Sequence, residues 1–363
     1  TVEGIGNVKK LHPVQERLAR GHGTQCGFCS PGFVMSAYTL LRNNPNPSTR
    51  EINQAIKGGK IDLIIPASFT LRPFDSVKCP CKEQSSGPDK EKLLTFDDFP
   101  KFDESQEIVF PPLFIMESED SDGDIFLEGR RVTLHAPSEL QVFEEHLRSN
   151  KEAKIISSGL ITRLITSHSS DDTKIVWTST HRLKTLSEVL VFDKEMSLGA
   201  NLTITEFVDA VDKYCDPMIA KPIRKLFDKY SSLQVANVAS WVGGFVSGSS
   251  DVSALLLALN PSMTIRDTAG VHEFRRVSDL IDGNGKVKLE NSQFIISMSF
   301  PRTEDALRLF TFKQGARLGP DSTIVNCVAA LHVKENIETA RIAVSFGSRA
   351  ILCEKLWKEL CGK

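Results

Sequence analysis

The 363-residue sequence predicts an α+β protein in three parts: a small helical N-terminal domain, a central α+β domain and a small C-terminal α+β domain. Three observations carry that reading. Residues 1 to about 60 place apolar side chains at helical spacing between clear start and stop signals. From residue 125, alternating apolar runs flank a capped amphipathic stretch, the pattern of strand, helix, strand. After residue 306, strand-like runs follow one another and end in a further helical stretch. The length suffices for two or three domains.

Pro13 to Arg20 reads as a short helix closed by Gly21. Pro31 to Arg42 reads as a second, with Phe33, Val34, Ala37, Tyr38, Leu40 and Leu41 as its apolar stripe and Asn43-Asn44-Pro45 as its stop. Ser48-Thr49-Arg50-Glu51 has the form of a capping box for a third helix through Ile56, ended by Gly58-Gly59. Residues 78–124 have a linker's composition, and the acidic run from Glu117 to Asp124 reads as a solvated loop.

In the central part, Arg131 to His135 alternates as a strand, and Ser138-Glu139-Leu140-Gln141 has capping-box form for a helix through Leu147. Lys154-Ile155-Ile156 reads as a buried strand ending in Ser157-Ser158-Gly159, small residues that let backbone N–H groups approach an anion. Gly243-Gly244 reads on local sequence as a turn, and Asp251 as an N-cap of the Leu-rich helix after it. Leu309–Lys313, Cys327–Val333 and Thr339–Phe346 read as strands, and Ile351–Leu360 as a helix. These last segments suggest a separate small unit.

A net charge of −2, without basic clusters interleaved with aromatics, argues against nucleic-acid or membrane-surface binding. No apolar run has the length of a membrane span, and no basic-then-apolar leader opens the chain. Eight cysteines at this length do not make a disulfide scaffold. C-x-x-C and C-x-C pairs fit metal ligation in a reducing, cytoplasmic compartment better.

The most specific stretch is Gly21-His22-Gly23-Thr24-Gln25-Cys26-Gly27-Phe28-Cys29-Ser30-Pro31-Gly32. Two cysteines with two residues between them turn both sulfurs to one side, and thiolate is a ligand for zinc and for iron–sulfur clusters. Alone, the pair is equally a redox dithiol, half a zinc site or half an iron–sulfur site. Ser30 suits an N-cap and Pro31 the first helical position, which puts the pair at a helix start.

With His12-Pro13-Val14-Gln15-Glu16-Arg17 upstream, this stretch closely resembles the second 2Fe–2S domain of the xanthine dehydrogenase / aldehyde oxidase family, the molybdenum hydroxylases. Phe126 to Gly159, Leu198 to Thr203, and Gln234 through Leu259 resemble that family's FAD domain, of the p-cresol-methylhydroxylase type. Phe312-Lys313-Gln314 resembles the opening of its flavoprotein C-terminal domain. The resemblance implies a 2Fe–2S domain over residues 1–77, a linker over 78–124, an FAD domain over 125–303 and a flavoprotein C-terminal segment over 304–363.

It further implies FAD held by Ser157, Ser158, Gly159, Leu160, Gly243, Gly244, Asp251, Ile296 and Lys313, with Asp251 on the ribityl chain and Lys313 near the cofactor. Cys26 and Cys29 would ligate the cluster. The family's C-x-C is displaced here to Cys79 and Cys81, because Gly58-Gly59-Lys60-Ile61 through Ile65 stands in its usual place. Weak or absent cluster binding is expected. Phe245 stands where the family has Asn, so FAD is expected to bind loosely.

The implied activity is electron transfer through an iron–sulfur centre to FAD, with NAD or dioxygen as acceptor. A homodimer, or pairing with a full-length family member, is also implied. No molybdopterin portion is present, so no substrate hydroxylation by the chain alone is expected. Two other readings stay open: a non-catalytic interaction partner of a complete family member, and a partial gene model of a complete enzyme.

Overall fold

The computed structural model describes residues 1–7, 9–20, 23–24, 27–56, 123–130, 132–157, 175–248, 250–282, 285–290, 292–303, 306–315, 323–347 and 349–361. The fold is α+β, and the chain divides into two compact units, residues 1–115 and 116–363.

The first unit holds four helices among its described residues: α1 (Val2–Ile5), α2 (Pro13–Arg20), α3 (Ser30–Asn43) and α4 (Thr49–Ile56). Val14 and Leu18, one turn apart on α2, meet Val34 and Ala37 of α3 in a small core edged by Val2, Ile5 and Leu41. Gln15 ties the entry together, accepting from His12 N at 2.8 Å and donating to Val2 O at 2.8 Å. The chain passes so close at Gly6 that a Cβ there would lie 2.2 Å from Gln15 Oε1. The expected capping box of α4 is present: Ser48 N donates to Glu51 Oε2 at 2.7 Å and Glu51 N to Ser48 Oγ at 3.3 Å. Cys29, one residue before the expected Ser30, is the N-cap of α3, which moves Pro31 to its second position.

Among its described residues the second unit contains three sheets. Strands β1 (Ile125–Glu128), β2 (Val132–Ala136), β3 (Lys154–Ile156) and β4 (Ile175–Ser179) form the first, in the order β1-β2-β4-β3. Helix α5 (Leu140–Ser149) crosses from β2 to β3, and both strands run parallel to β4 between them. The expected capping box at Ser138 does not form. Glu139 is the N-cap without a side-chain bond, and Ser138 donates through N and Oγ to Asp124 Oδ1 at 2.7 and 2.9 Å. A partner across the chain outcompetes the local one.

Strands β5 (Val189–Val191), β6 (Glu195–Gly199), β7 (Ser262–Asp267), β8 (His272–Arg276) and β9 (Gln293–Pro301) form an antiparallel sheet in the order β5-β6-β9-β7-β8. Between β6 and β7 run α6 (Ile204–Tyr214), α7 (Pro217–Phe227), α8 (Leu233–Ala236), α9 (Trp241–Val246) and α10 (Ser250–Leu259), and α11 (Val277–Leu280) follows β8. The third sheet is an antiparallel meander of β10 (Leu307–Gly315), β11 (Thr323–Val333), β12 (Ile337–Phe346) and β13 (Arg349–Leu352), followed by α12 (Glu354–Leu360). Ile351 and Leu352, expected in the last helix, therefore lie in an edge strand paired to β12.

Helix α10 is mostly apolar and is enclosed on all sides, with Asp251 to Ala258 buried. It packs on β11, β12 and β13, and α7 packs on β10. Leu307, Leu309, Val328, Ala330, Ala343 and Ala350 consequently share one core with Phe143, Phe207, Trp241 and Met298. Among the described residues, those six side chains of the last sheet belong to the same core cluster as the helices between β6 and β7.

Candidate functional site

The site is built around the turn that ends β6. Gly199 is required there, because a Cβ would lie 2.2 Å from Leu186 O. Ala200 N donates to Ile296 O at 2.8 Å, which fixes the turn against β9. Asn201, buried, then reaches toward the first sheet. Its Oδ1 accepts from Ser157 Oγ at 2.9 Å and from Thr180 Oγ1 at 2.6 Å. Thr180 N in turn donates to Ile156 O at 2.8 Å. One side-chain amide thus ties the ends of β3 and β4 to the end of β6.

The same turn seats α9. Ser240 Oγ donates to Ala200 O at 2.8 Å and, as N-cap, accepts from Gly243 N at 3.0 Å. Trp241 donates through Nε1 to Gly199 O at 2.8 Å and through its backbone N to Leu202 O at 3.1 Å. These bonds bring Gly243 to Ser157: a Cβ built on Gly243 would stand 3.6 Å from Ser157 Cβ and 3.4 Å from Ser240. Two predicted site residues, 86 positions apart in sequence, are neighbours in space.

Gly243 and Gly244 lie in the first turn of α9 and not in a loose turn. Their amides are both taken by Ser240, Gly243 N by its Oγ and Gly244 N by its carbonyl at 2.8 Å. Gly243 contributes a close joint, in which its bare Cα packs against Ser157 and Ser240 with room for no more than a methyl group between them. Phe245 points away and is fully buried in the core.

Asp251 and Lys313 also meet. Asp251 sits in the first turn of α10 and not at its cap, and its Oδ2 lies 2.7 Å from Lys313 Nζ on β10. Its Oδ1 accepts from Thr323 Oγ1 at 2.8 Å and from Asn326 Nδ2 at 3.1 Å, both on β11. Lys313 and Asn326 stand directly opposite each other in the β10–β11 ladder, so both face α10. The Lys313 ammonium is also 5.9 Å from the centre of the Tyr230 ring. The side chains of Lys313 and Asp251 are only 2% and 6% exposed, which makes this an internal strut beneath the α9–α10 corner.

Ile296 lies half-buried on β9, and its carbonyl holds the Ala200 turn. In the first unit, Cys29 is half-buried at the start of α3, beside a Phe28 that is 94% exposed. Cys26, Cys79, Cys81, Ser158, Gly159 and Leu160 lie outside the described residues. No group of three or more His, Cys, Asp or Glu able to hold a metal occurs among the described residues.

Sequence reasoning missed Asn201, Thr180, Ser240, Thr323 and Asn326. Asn201 lay within a segment singled out for its likeness, Leu198 to Thr203, but nothing local marked its amide. Ser240 lay within another such segment, Gln234 through Leu259, and caps α9 locally, whereas Thr180, Thr323 and Asn326 act across the fold and leave no signal at their own positions.

Comparisons with known proteins agree with this architecture. A [2Fe-2S] binding domain model matches residues 1–60, and a model of the FAD binding domain in molybdopterin dehydrogenase matches residues 130–303. A probable aldehyde oxidase of Caenorhabditis elegans is 35% identical over 372 residues, covering 96% of this chain. Aldehyde oxidase 3 of Mus musculus is 28% identical over 100% of the chain, and xanthine dehydrogenase/oxidase of Rattus norvegicus 27% over 96%. The chain spans 29% of the first two relatives and 28% of the third.

In fold, residues amounting to 65% of the chain superpose on 82% of a chain of carbon monoxide dehydrogenase from Hydrogenophaga pseudoflava, with a TM-score of 0.57 at 16% identity. Quinoline 2-oxidoreductase from Pseudomonas putida 86 gives a TM-score of 0.53 at 21% identity, over 66% of this chain and 81% of that one. Over its iron–sulfur-type and flavin-binding segments, the chain belongs to the xanthine dehydrogenase / aldehyde oxidase family of molybdenum hydroxylases.

Proposed function

We propose that this chain is the electron-carrying portion of an oxidoreductase, with FAD seated between the Ser157 end of β3 and the α9–α10 corner, and with NAD or dioxygen as acceptor. The observation that carries the reading is the apposition of Gly243 and Ser157, within a segment that matches an FAD-binding domain. A surface without a side chain on one wall and with a hydroxyl on the other suits a dinucleotide's pyrophosphate. When bound, FAD supplies the one- and two-electron exchange.

The chain's own residues have three tasks on this reading. Ser157 forms one wall and Gly243 and Gly244 the other, with Ser158, Gly159 and Leu160, outside the described residues, proposed as further cofactor-binding residues. Asn201 holds the walls at fixed separation through its bonds to Ser157 and Thr180. Asp251 and Lys313 fix the corner from below, and Ile296 supports the turn between the walls. In the first unit, Cys29 is at the helix start suited to a thiolate ligand, with Cys26, Cys79 and Cys81 proposed to complete the 2Fe–2S set.

The test is dye reduction by NADH under anaerobic conditions after reconstitution with FAD. The reading predicts turnover that requires FAD and falls when Asn201 is replaced by Ala. Visible flavin lost completely on desalting, with no NADH-dependent dye reduction, would overturn it.

A further inference from the structure

We propose that Asn326, on β11, is a positioning residue for the flavin site: its side-chain amide orients Asp251 and, through it, the α9–α10 corner. The proposal rests on the flavin reading above and adds a residue that the reading does not assign.

Asn326 is fully buried in the terminal sheet, yet its one side-chain hydrogen bond among the described residues is Nδ2 to Asp251 Oδ1 at 3.1 Å. Its own Oδ1 is buried and has no partner among the described residues. An amide with an orphaned oxygen is a poor way to stabilise a core, because a leucine would fill similar space with nothing left unsatisfied. The polar group therefore serves direction more than stability. The bonded Nδ2 also sets the sense of the amide, since the reverse orientation would place two oxygens together.

Direction is what Asp251 needs. Its carboxylate accepts three hydrogen bonds, from Lys313, Thr323 and Asn326, each from a different angle. Lys313 alone leaves the carboxylate free to rotate about a flexible, compact ammonium. Thr323 and Asn326 lock the second oxygen to β11. Helix α10 is thereby pinned at its first turn. Only Ser247, Gly248 and Ser249 separate α10 from α9, and Gly248 takes a positive φ of 81°, a tight link that passes the constraint to Gly243 beside Ser157. The charged and titratable groups facing Asp251 are Lys313 from β10 and, on the far side of the ammonium, Tyr230 after α7; Thr323 and Asn326 are the neutral donors from β11.

Full-length variants measured for FAD affinity, visible circular dichroism and apoprotein melting test this. Asn326→Leu is expected to weaken FAD binding by at least about tenfold and change the flavin's dichroism. Asn326→Asp sets a second carboxylate against Asp251. Two adjacent carboxylates cannot both stay ionised cheaply, so a shared proton restores the missing donor. Its FAD affinity is expected to be poor near about pH 8 and to recover toward about pH 5.5, relative to wild type. Thr323→Val, a milder change, is expected to give an intermediate loss that Thr323→Ser reverses, which keeps the test open should either Asn326 variant fail to fold.

Wild-type protein that binds FAD, beside variants whose affinity, dichroism and pH profile match it, would overturn the positioning role and leave the flavin reading intact. Variants that lower only the apoprotein melting temperature would do the same. Wild-type protein that binds no FAD overturns both.

Discussion

Lys313 Nζ and Asp251 Oδ2 meet at 2.7 Å with both side chains almost wholly out of water. Residues 62 positions apart thus bind the last sheet to the helix next to the candidate site. A buried pair of this kind gives little net stability over an apolar substitute, but losing one partner strands the other charge. Lys313→Met should therefore destabilise the protein by about 3–5 kcal/mol, read by denaturant unfolding. The double variant Lys313→Met, Asp251→Asn should recover a large part of that loss, as the coupling term of a double-mutant cycle.

Gly243→Ala separates stability from binding. The new methyl would meet Ser240 at 3.4 Å and Ser157 at 3.6 Å, contacts the fold can accept. Alanine in a helix is favoured over glycine by about 0.8–1 kcal/mol, so the melting temperature should hold or rise. FAD affinity should fall, because the methyl crowds the joint across which the pyrophosphate is proposed to lie. Equilibrium dialysis against FAD checks it.

Asn201→Ala removes the acceptor shared by Ser157 and Thr180, leaves the buried Thr180 hydroxyl only a long 3.4 Å bond to Ile156 O, and takes the Asn201 Nδ2 donor from Thr180 O. The expected cost is about 1–3 kcal/mol in stability. Proteolysis should become faster near residue 157 as the end of β3 loosens, and limited digestion followed by mass spectrometry reads that directly.

His146 on α5 contributes a pH dependence of definite sign. Burial first, and the neighbouring His135 second, hold its pKa below the ordinary imidazole value. The unfolded chain then binds the proton more readily than the folded one. Stability from this group is present above about pH 6.5 and is lost as pH falls from there toward the depressed folded value. Replacing His146 with Gln should flatten that part of the profile in urea unfolding measured from neutral to acidic pH.

Cys215 should be inert to alkylation in the native protein. Burial pushes its thiol up to about 12, so almost no thiolate exists near neutrality. Iodoacetamide labelling with mass spectrometry should modify Cys215 only after denaturation.

What the sequence made legible was local or periodic. The stripe of α3, the capping box of Ser48 and Glu51, and the β2–α5–β3 order all follow from neighbours within a few residues, and all are present. The failures have one cause. Ser138 looked like a capping residue until Asp124, fourteen positions upstream, supplied an acceptor. Ile351 and Leu352 read as helical because nothing local announces that β12 offers them an edge. Asp251 read as an N-cap because Lys313, Thr323 and Asn326 become its neighbours only when β10 and β11 pair beneath α10. At the candidate site, Ser157 and Gly243 were legible as small residues in suggestive places. Asn201, which ties their walls together, was not, since its partners come from the ends of two other strands, β3 and β4.

The most direct test of the account is titration of the purified chain with FAD, followed by visible circular dichroism, in wild type and in Gly243→Val. A flavin lying across the joint of the Ser157 and Gly243 walls predicts an equimolar, saturable signal that the valine abolishes while the protein remains folded. A wild-type protein that never develops the signal, or a valine variant that develops it unchanged, would contradict the account.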